Sequence, residues 1–393
     1  MGSRRLQAAL FLAGLAVALL ASGCVARRSL ELARAYTERQ DYVSDEIYYV
    51  DTARRYLQHI FKININYYNY SNKTGDNYYN LEHPPLGKYI IATSMVLCGD
   101  TPLCWRLPGI VEAASLPIVL YLAWAARRPV RALNVAAGAI SAAALASDRI
   151  LYVDASVAML DIHLAFFTGL SVALAVRRRY TSALVVAALA STVKMSGLAA
   201  VGGIMLLGIA DALAKRRTRD IAWRIFESII ITVLVWVIVY LPLTLRFTPQ
   251  DLVRETLAAL RWHTTSRPEG PPTSTPPGWI LNSNPFGFTY SGMLALAETT
   301  TIAEAAFLAS AVWISLFIAY RSLRGRSIPW APGSLVYVST LLLYAAVYLM
   351  GNKTLYSFYA VQLSPPGALA LAEAFHVLTS RAAIVATGEE YGR

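Results

Sequence analysis

SDEIYYVDTARRY at 44–56 and EHPPLGK at 82–88 bracket a polar, Tyr- and Asn-rich passage that interrupts an otherwise apolar chain. On both sides apolar runs of roughly 18 or more residues recur, the length that crosses a hydrocarbon core as a helix. Of 393 residues, 56% are hydrophobic and 15% charged. The chain is therefore expected to be a single all-α polytopic membrane domain over 1–393, with chemistry confined to its polar inserts. The formal net charge of +11 does not indicate nucleic acid, because Arg and Lys fall in short clusters between apolar runs, where they orient a chain in a bilayer.

Span 6–23 follows Arg4-Arg5. ASGC around Cys24 resembles a lipoprotein cleavage box but lacks Leu three residues earlier, so an uncleaved first helix is expected. Residues 26–86 are expected to form a first external loop bearing amphipathic juxtamembrane helices, and 87–99 to dip into the surface, being too short to cross. Further spans are expected at 107–126, 132–147, 157–176, 181–193, 197–214, 226–245, 301–320, 332–350 and 357–377, about ten in all. The span at 181–193 is short and stops at Lys194. Residues 246–300, with RPEGPPTSTPPGW at 267–279, cannot continue a helix throughout and read as a second external loop, ordered or mobile.

Loop charge gives the orientation. Arg127-Arg128 with Arg131, Arg177–Arg179, Lys215–Arg219, and Arg321, Arg324 and Arg326 share a side with Arg4-Arg5, which places both termini in the cytoplasm. The sequons at Asn69, Asn72 and Asn352 then fall outside. Cys98 and Cys104 also fall outside, as a disulfide or as two thiols. The five His residues are scattered, with no metal-ligand spacing.

The outer side collects Asp45, Glu46, Asp51, Glu82, Asp148, Asp154 and Asp161 together with Lys88, Arg106, Arg149 and Lys194. Such charges at span ends are either interfacial ion pairs or a site. As a site, carboxylate and cation suit one reaction type: a base takes a proton from an acceptor hydroxyl while fixed positive charge stabilises a departing phosphate. A secondary transporter would instead carry its acids near the midplane and show repeated broken helices; no internal repeat is seen.

The DE pair in the first external loop, the acidic residue before HPPLGK, WRLP at 105–108 and AMLDIHLAFF at 158–167 together resemble the protein O-mannosyltransferases of the GT-C superfamily of membrane glycosyltransferases. The likeness covers the first half of the chain. It implies inverting, metal-independent transfer of a hexose, mannose, from a polyprenyl (dolichyl) phosphate carrier to Ser or Thr hydroxyls on the outer face, with no cofactor besides the lipid-phosphate donor. It implies Asp45 as catalytic base, with Glu46 and Glu82 positioning acceptor and sugar. His83, Lys88, Arg106, Arg149, Asp154, Asp161 and Lys194 are implied at the donor. Of these, Asp161 is favoured over Asp154 as the family's later acidic residue, and Lys88 also suits headgroup anchoring. STVKMSGL around Lys194 and the loop at 262–279 resemble later segments, giving His263 as an acceptor-loop residue, although HPY and WPW are missing. Residues 246–300 leave no room for the β-trefoil insert of eukaryotic members. A lipid-to-lipid enzyme of the aminoarabinose-transferase type would share acids and cations and differ in acceptor.

Overall fold

The computed structural model describes residues 2–38, 42–68, 74–75, 77–126, 131–265, 272–290 and 293–387. The sequons at Asn69 and Asn72, the Arg127-Arg128 pair and positions 266–271 of the Pro-rich loop lie outside these residues. The chain is nearly all helical. Its long helices are α1 (Gly2–Thr37), α4 (Pro102–Ala125), α5 (Ala132–Ser147), α7 (Leu160–Val176), α8 (Tyr180–Val193), α9 (Leu198–Ala214), α10 (Thr218–Tyr240), α13 (Thr301–Leu323), α14 (Pro332–Leu349) and α15 (Ser364–Thr387). The connections carry α2 (Glu46–Arg55), α3 (Leu86–Cys98), α6 (Arg149–Asp154), α11 (Pro249–Thr264), α12 (Pro276–Leu281) and an antiparallel hairpin, β1 (Phe286–Tyr290) with β2 (Met293–Ala297).

A helix thus occupies each of the ten expected spans, and among the described residues six helical stretches are long and apolar enough to cross a membrane unaided. Among the rest, α7 and α8 are short because they are interior: nearly every residue of α7 from Leu160 to Ala165 is buried, and neighbouring helices cover the backbone that lipid otherwise would. The last span begins at Ser364, not 357, because Ser357–Gln362 forms a separate 3₁₀ turn and Pro365-Pro366 favour a helix start.

Two expected loops are more ordered than their composition indicated. Helix α1 runs on to Thr37, past the expected end at 23, so the first connection starts near 38. Its continuation buries Ser29, Ala33 and Tyr36 and pairs Arg27 with Glu31 at i,i+4. The 246–300 segment folds into α11, α12 and the hairpin. There the Thr248 hydroxyl and the Asp251 carboxylate reciprocally cap α11, and Pro249 at its first position carries no N–H to orphan.

Alternation of the long helices separates charge. Arg5, Arg177–Arg179, Lys215–Arg219 and Arg321–Arg326 lie at one set of helix ends, while Asp45, Arg106, Asp161 and Lys194 lie at the other. At this second end Cys98 and Cys104, their Cα atoms 5.9 Å apart, are joined as a disulfide that ties α3 to α4.

Here too a buried ion pair anchors the connection between α1 and α3. Glu46, in the first turn of α2, and Arg106, in α4, are both 0% exposed at their side chains and meet in a two-pronged pair at 2.7 Å per contact. The remaining acceptor capacity of Glu46 is filled by the Val43 and Ala158 amides, at 2.8 and 2.7 Å. Arg106 also donates to the Ala33 carbonyl and the Thr37 hydroxyl. One ion pair therefore joins α1, α2, α4 and the turn before α7. Glu46→Ala would leave a buried guanidinium unmatched, and a loss of about 3–5 kcal/mol is expected. Thermal unfolding in detergent should show this as a large drop in midpoint, where Asp45→Asn shows little.

Candidate active site

The residues that close α2, α7 and α8 toward one another define the site. Ser44 turns through a left-handed conformation (φ 53°) and delivers Asp45 to the start of α2. The Asp45 side chain does not cap its own helix. It hydrogen-bonds Tyr49 one turn on and sits in the fields of Lys194 and Asp161. Burial lifts the Asp45 carboxyl above its ordinary range, Lys194 counters part of that rise, and Asp161 adds to it.

Lys194 reaches the field of Asp45 because α8 ends there. The Lys194 backbone is extended (φ −143°, ψ 143°), and a tight turn over Met195–Gly197 leads into α9. Gly197 makes this turn close: a Cβ there would stand 2.4 Å from the Ala190 carbonyl carbon. The Lys194 ammonium donates to Asp161 Oδ1 at 2.8 Å and lies 4.1 Å from the Tyr359 ring centroid, a cation–π contact. Asp154 interacts with Asp161 and Lys194; both its buried oxygens, and Asp161 Oδ2, find no donor among the described residues. Asp154 and Asp161, alternatives for one role in the sequence, thus occupy one cluster.

Beside Lys194 opens a cavity of about 300 Å³. Its polar end holds His83, Lys194, Ser196, His263 and Asn352; its walls are Leu198, Trp236, Leu257, Leu260, Leu343 and Val347 from α9, α10, α11 and α14, with Tyr344 and Tyr359 between. The His83 and His263 rings approach to 5.5 Å between centroids, and His83 also meets the Tyr49 ring edge-on. His263 belongs to α11 and not to an open loop; the Asn352 amide donates to its carbonyl at 3.0 Å. Asn352 is 1% exposed with its amide thus engaged, so the third sequon is a structural residue of the cavity and not an exposed acceptor.

Five expected donor or catalytic residues stand elsewhere. Glu46 and Arg106 saturate one another and have no face toward the cavity. Lys88 is fully buried, its ammonium held by the carbonyls of Asn80 and His83, the latter at 2.6 Å. It fixes the turn that carries Glu82 and His83. Arg149 pairs with Glu298 after β2 at 2.6 Å, on the hairpin side. Glu82 is part-exposed and accepts from Tyr78 and from Asn80, the latter at 2.9 Å. Asp51 binds Arg54, which also chelates Asp100 between α3 and α4. Among the described residues no three His, Cys, Asp or Glu side chains gather to hold a metal ion.

Tyr49, Trp236, Tyr344 and Tyr359 belong to this region and were not singled out from sequence, and Asn352 was read there only as a sequon. Only Tyr49 had a legible signal, its i,i+4 spacing from Asp45 on a helix that starts there. The aromatics are one type among 23 Tyr and 8 Trp, and only packing selects them.

No family model matches the sequence, and no curated protein matches it significantly. The fold is similar to that of ArnT from Cupriavidus metallidurans bound to undecaprenyl phosphate, with TM-score 0.54 and 16% identity over 92% of this chain and 62% of that one. It is also similar to the apo oligosaccharyltransferase of Archaeoglobus fulgidus, with TM-score 0.51 and 14% identity over 98% of this chain and 52% of that one. Oligosaccharyltransferase AglB of the same organism, in complex with an inhibitory peptide and a dolichol-phosphate, matches at TM-score 0.51 and 14% identity over 97% and 52%. The chain spans between about half and three-fifths of the length of these structures, and at such identities the likeness establishes the polytopic, nearly all-α fold alone.

Because Gly197 approaches backbone and not a movable side chain, Gly197→Ala is expected to force the turn apart and displace Lys194. Loss of about 1–3 kcal/mol of stability should accompany it, readable as a lower unfolding midpoint, while Gly202→Ala, where a Cβ meets nothing within 4 Å, is neutral.

Proposed function

We propose that this protein transfers a sugar from a polyprenyl phosphate to a hydroxyl acceptor, with inversion at the anomeric carbon. The observation that carries this reading is Lys194 at the polar end of an apolar cavity, held by Asp161 and acting electrostatically on Asp45. The cavity walls suit the first isoprene units of a lipid carrier, and its polar end suits the phosphate. Asp45 takes the proton of the acceptor hydroxyl as that oxygen bonds to the anomeric carbon. The sugar–phosphate C–O bond breaks on the opposite face, and the lipid phosphate leaves with its charge stabilised by Lys194 and the neighbouring imidazoles. Asp161 orients Lys194 from behind.

Chemistry at the same helix ends supports an external site. Disulfides persist in oxidising surroundings, and the Cys98–Cys104 bridge lies at the end of the bundle that bears the site. The basic clusters occupy the other end, the pattern of a cytoplasmic face. We therefore assign the site to the external face and both termini to the cytoplasm.

Mannose and a protein Ser or Thr acceptor are the finer reading, taken from the resemblance of the 44–56, 82–88 and 158–167 motifs. The likeness to ArnT bound to undecaprenyl phosphate favours as second reading a lipid acceptor. Membranes containing the protein, supplied with radiolabelled polyprenyl-phosphate sugars, separate the two: label enters protein in the first and lipid in the second. Label in neither, with donor intact, would overturn the proposal.

Asp45→Asn is expected to reduce turnover by about 10²–10⁴ while donor binding persists; near-normal turnover would remove Asp45 as base. Lys194→Gln should raise the donor KM as well as lower kcat. Because the Asp45 carboxyl is raised and acts unprotonated, the rate should fall on acidification through a pKa above the ordinary value of about 3.9. An acid limb at or below that value in a kcat/KM profile would contradict the assignment.

A further inference from the structure

Gln362 closes the 3₁₀ turn Ser357–Gln362, which also carries Tyr359, and is 0% exposed. Residues three apart on a 3₁₀ helix eclipse one another, so the Tyr359 ring and the Gln362 carboxamide leave the turn on the same side. A carboxamide buried without partners is costly, and here both of its ends are engaged. Its oxygen accepts from the Tyr344 hydroxyl at 2.9 Å, and its nitrogen donates to the Ser196 carbonyl at 3.1 Å.

These contacts complete a ladder that begins at the cation of the site. The Lys194 ammonium lies 4.1 Å from the Tyr359 ring centroid, and the Tyr359 and Tyr344 rings stack with centroids 5.7 Å apart and planes inclined by 16°. Trp279 of α12 meets both rings edge-on, at 6.3 and 5.0 Å. Gln362 holds the far end of the ladder by the Tyr344 hydroxyl, and through the Ser196 carbonyl it returns to the turn that follows Lys194. The contacts thus close on the lysine itself. A lysine ammonium rides on a flexible four-carbon stem, and Asp161, bonded to it at 2.8 Å, fixes it from one side only. The Tyr359 face supplies a second surface, kept in place through Tyr344. Glutamine suits this position by type: a glutamate would accept from Tyr344 without donating to Ser196, and an apolar side chain would do neither.

We propose, on the reading of the cavity as a polyprenyl phosphate site, that Gln362 is a positioning residue for the departing phosphate. Through the Tyr344 and Tyr359 rings and the 194–197 turn it holds the Lys194 ammonium where the phosphate of the lipid donor binds. Gln362 is not among the residues lining the cavity, so its effect on the donor passes through Lys194. An apolar side chain of similar length keeps the packing and releases both hydrogen bonds. The loss then falls on recognition of the phosphate and not on recognition of the isoprenoid chain.

Titration of the full chain in detergent with undecaprenyl phosphate and with undecaprenol, which differ only in the phosphate, tests this. Binding is followed by tryptophan fluorescence, Trp236 standing in the cavity wall. The parent is expected to bind the phosphate lipid more tightly, and Lys194→Gln to abolish that preference. Gln362→Met should reduce the preference by about 2- to 10-fold, the worth of one neutral hydrogen bond. It should leave undecaprenol affinity unchanged and add nothing in the Lys194→Gln background. Where Gln362→Met fails to accumulate, Gln362→Asn, polar but one methylene too short to reach both partners, is read in its place. An undiminished preference, an equal loss for both lipids, or a further loss in the Lys194→Gln background overturns the positioning role and leaves the reading of the cavity standing. No preference in the parent, or one retained in Lys194→Gln, overturns the reading of the cavity and the positioning role with it.

Discussion

The Glu46–Arg106 pair is the constraint on which the site depends. Taking two charges out of water is expensive, and the expense is recovered only when geometry and hydrogen bonding are near complete. Here they are: both Glu46 oxygens receive guanidinium and amide donors, and Arg106 is shared with the end of α1. The neighbour of Glu46 in sequence, Asp45, is thereby held at the mouth of the bundle. Two adjacent acids acquire opposite duties because one points into the protein and the other toward Lys194.

The same division recurs in the second motif. Lys88 is spent on the carbonyls of Asn80 and His83, and this presents His83 to the cavity. Arg54, clasped by Asp51 and Asp100 and covered by the Trp105 ring, fastens α2 to the disulfide-closed turn between α3 and α4. Buried ionic contacts thus stiffen the polar connection, leaving His83, Lys194 and His263 lining one cavity, with Asp45 in the field of Lys194. Preorganisation of this kind is what electrostatic stabilisation of a leaving phosphate requires.

Around that space the two long connections do unequal work. The first supplies acids, and the second supplies α11, whose Leu257, Leu260 and His263 form one wall of the cavity. The hairpin behind it is held by the Tyr36 hydroxyl and by Ser357, which also returns the chain toward the 3₁₀ turn bearing Tyr359. Part of a Pro-rich stretch that reads as loop in one dimension forms helix α12 in three.

Sequence alone determined the class of this protein, its succession of apolar helices, and the segregation of basic clusters from acids, because hydrocarbon admits few solutions and each is written in run length and loop charge. It also singled out Asp45, Asp161 and Lys194 as charges on the outer side, and through the family resemblance His83 and His263. Tertiary structure alone decided which charges face each other: Arg106, Lys88 and Arg149 read identically to Lys194 in sequence, yet three are consumed by internal partners and one opens on a cavity. The physical reason is that a buried charge is defined by its partner, and partners such as Glu46 and Arg106, sixty residues apart, meet only when helices pack.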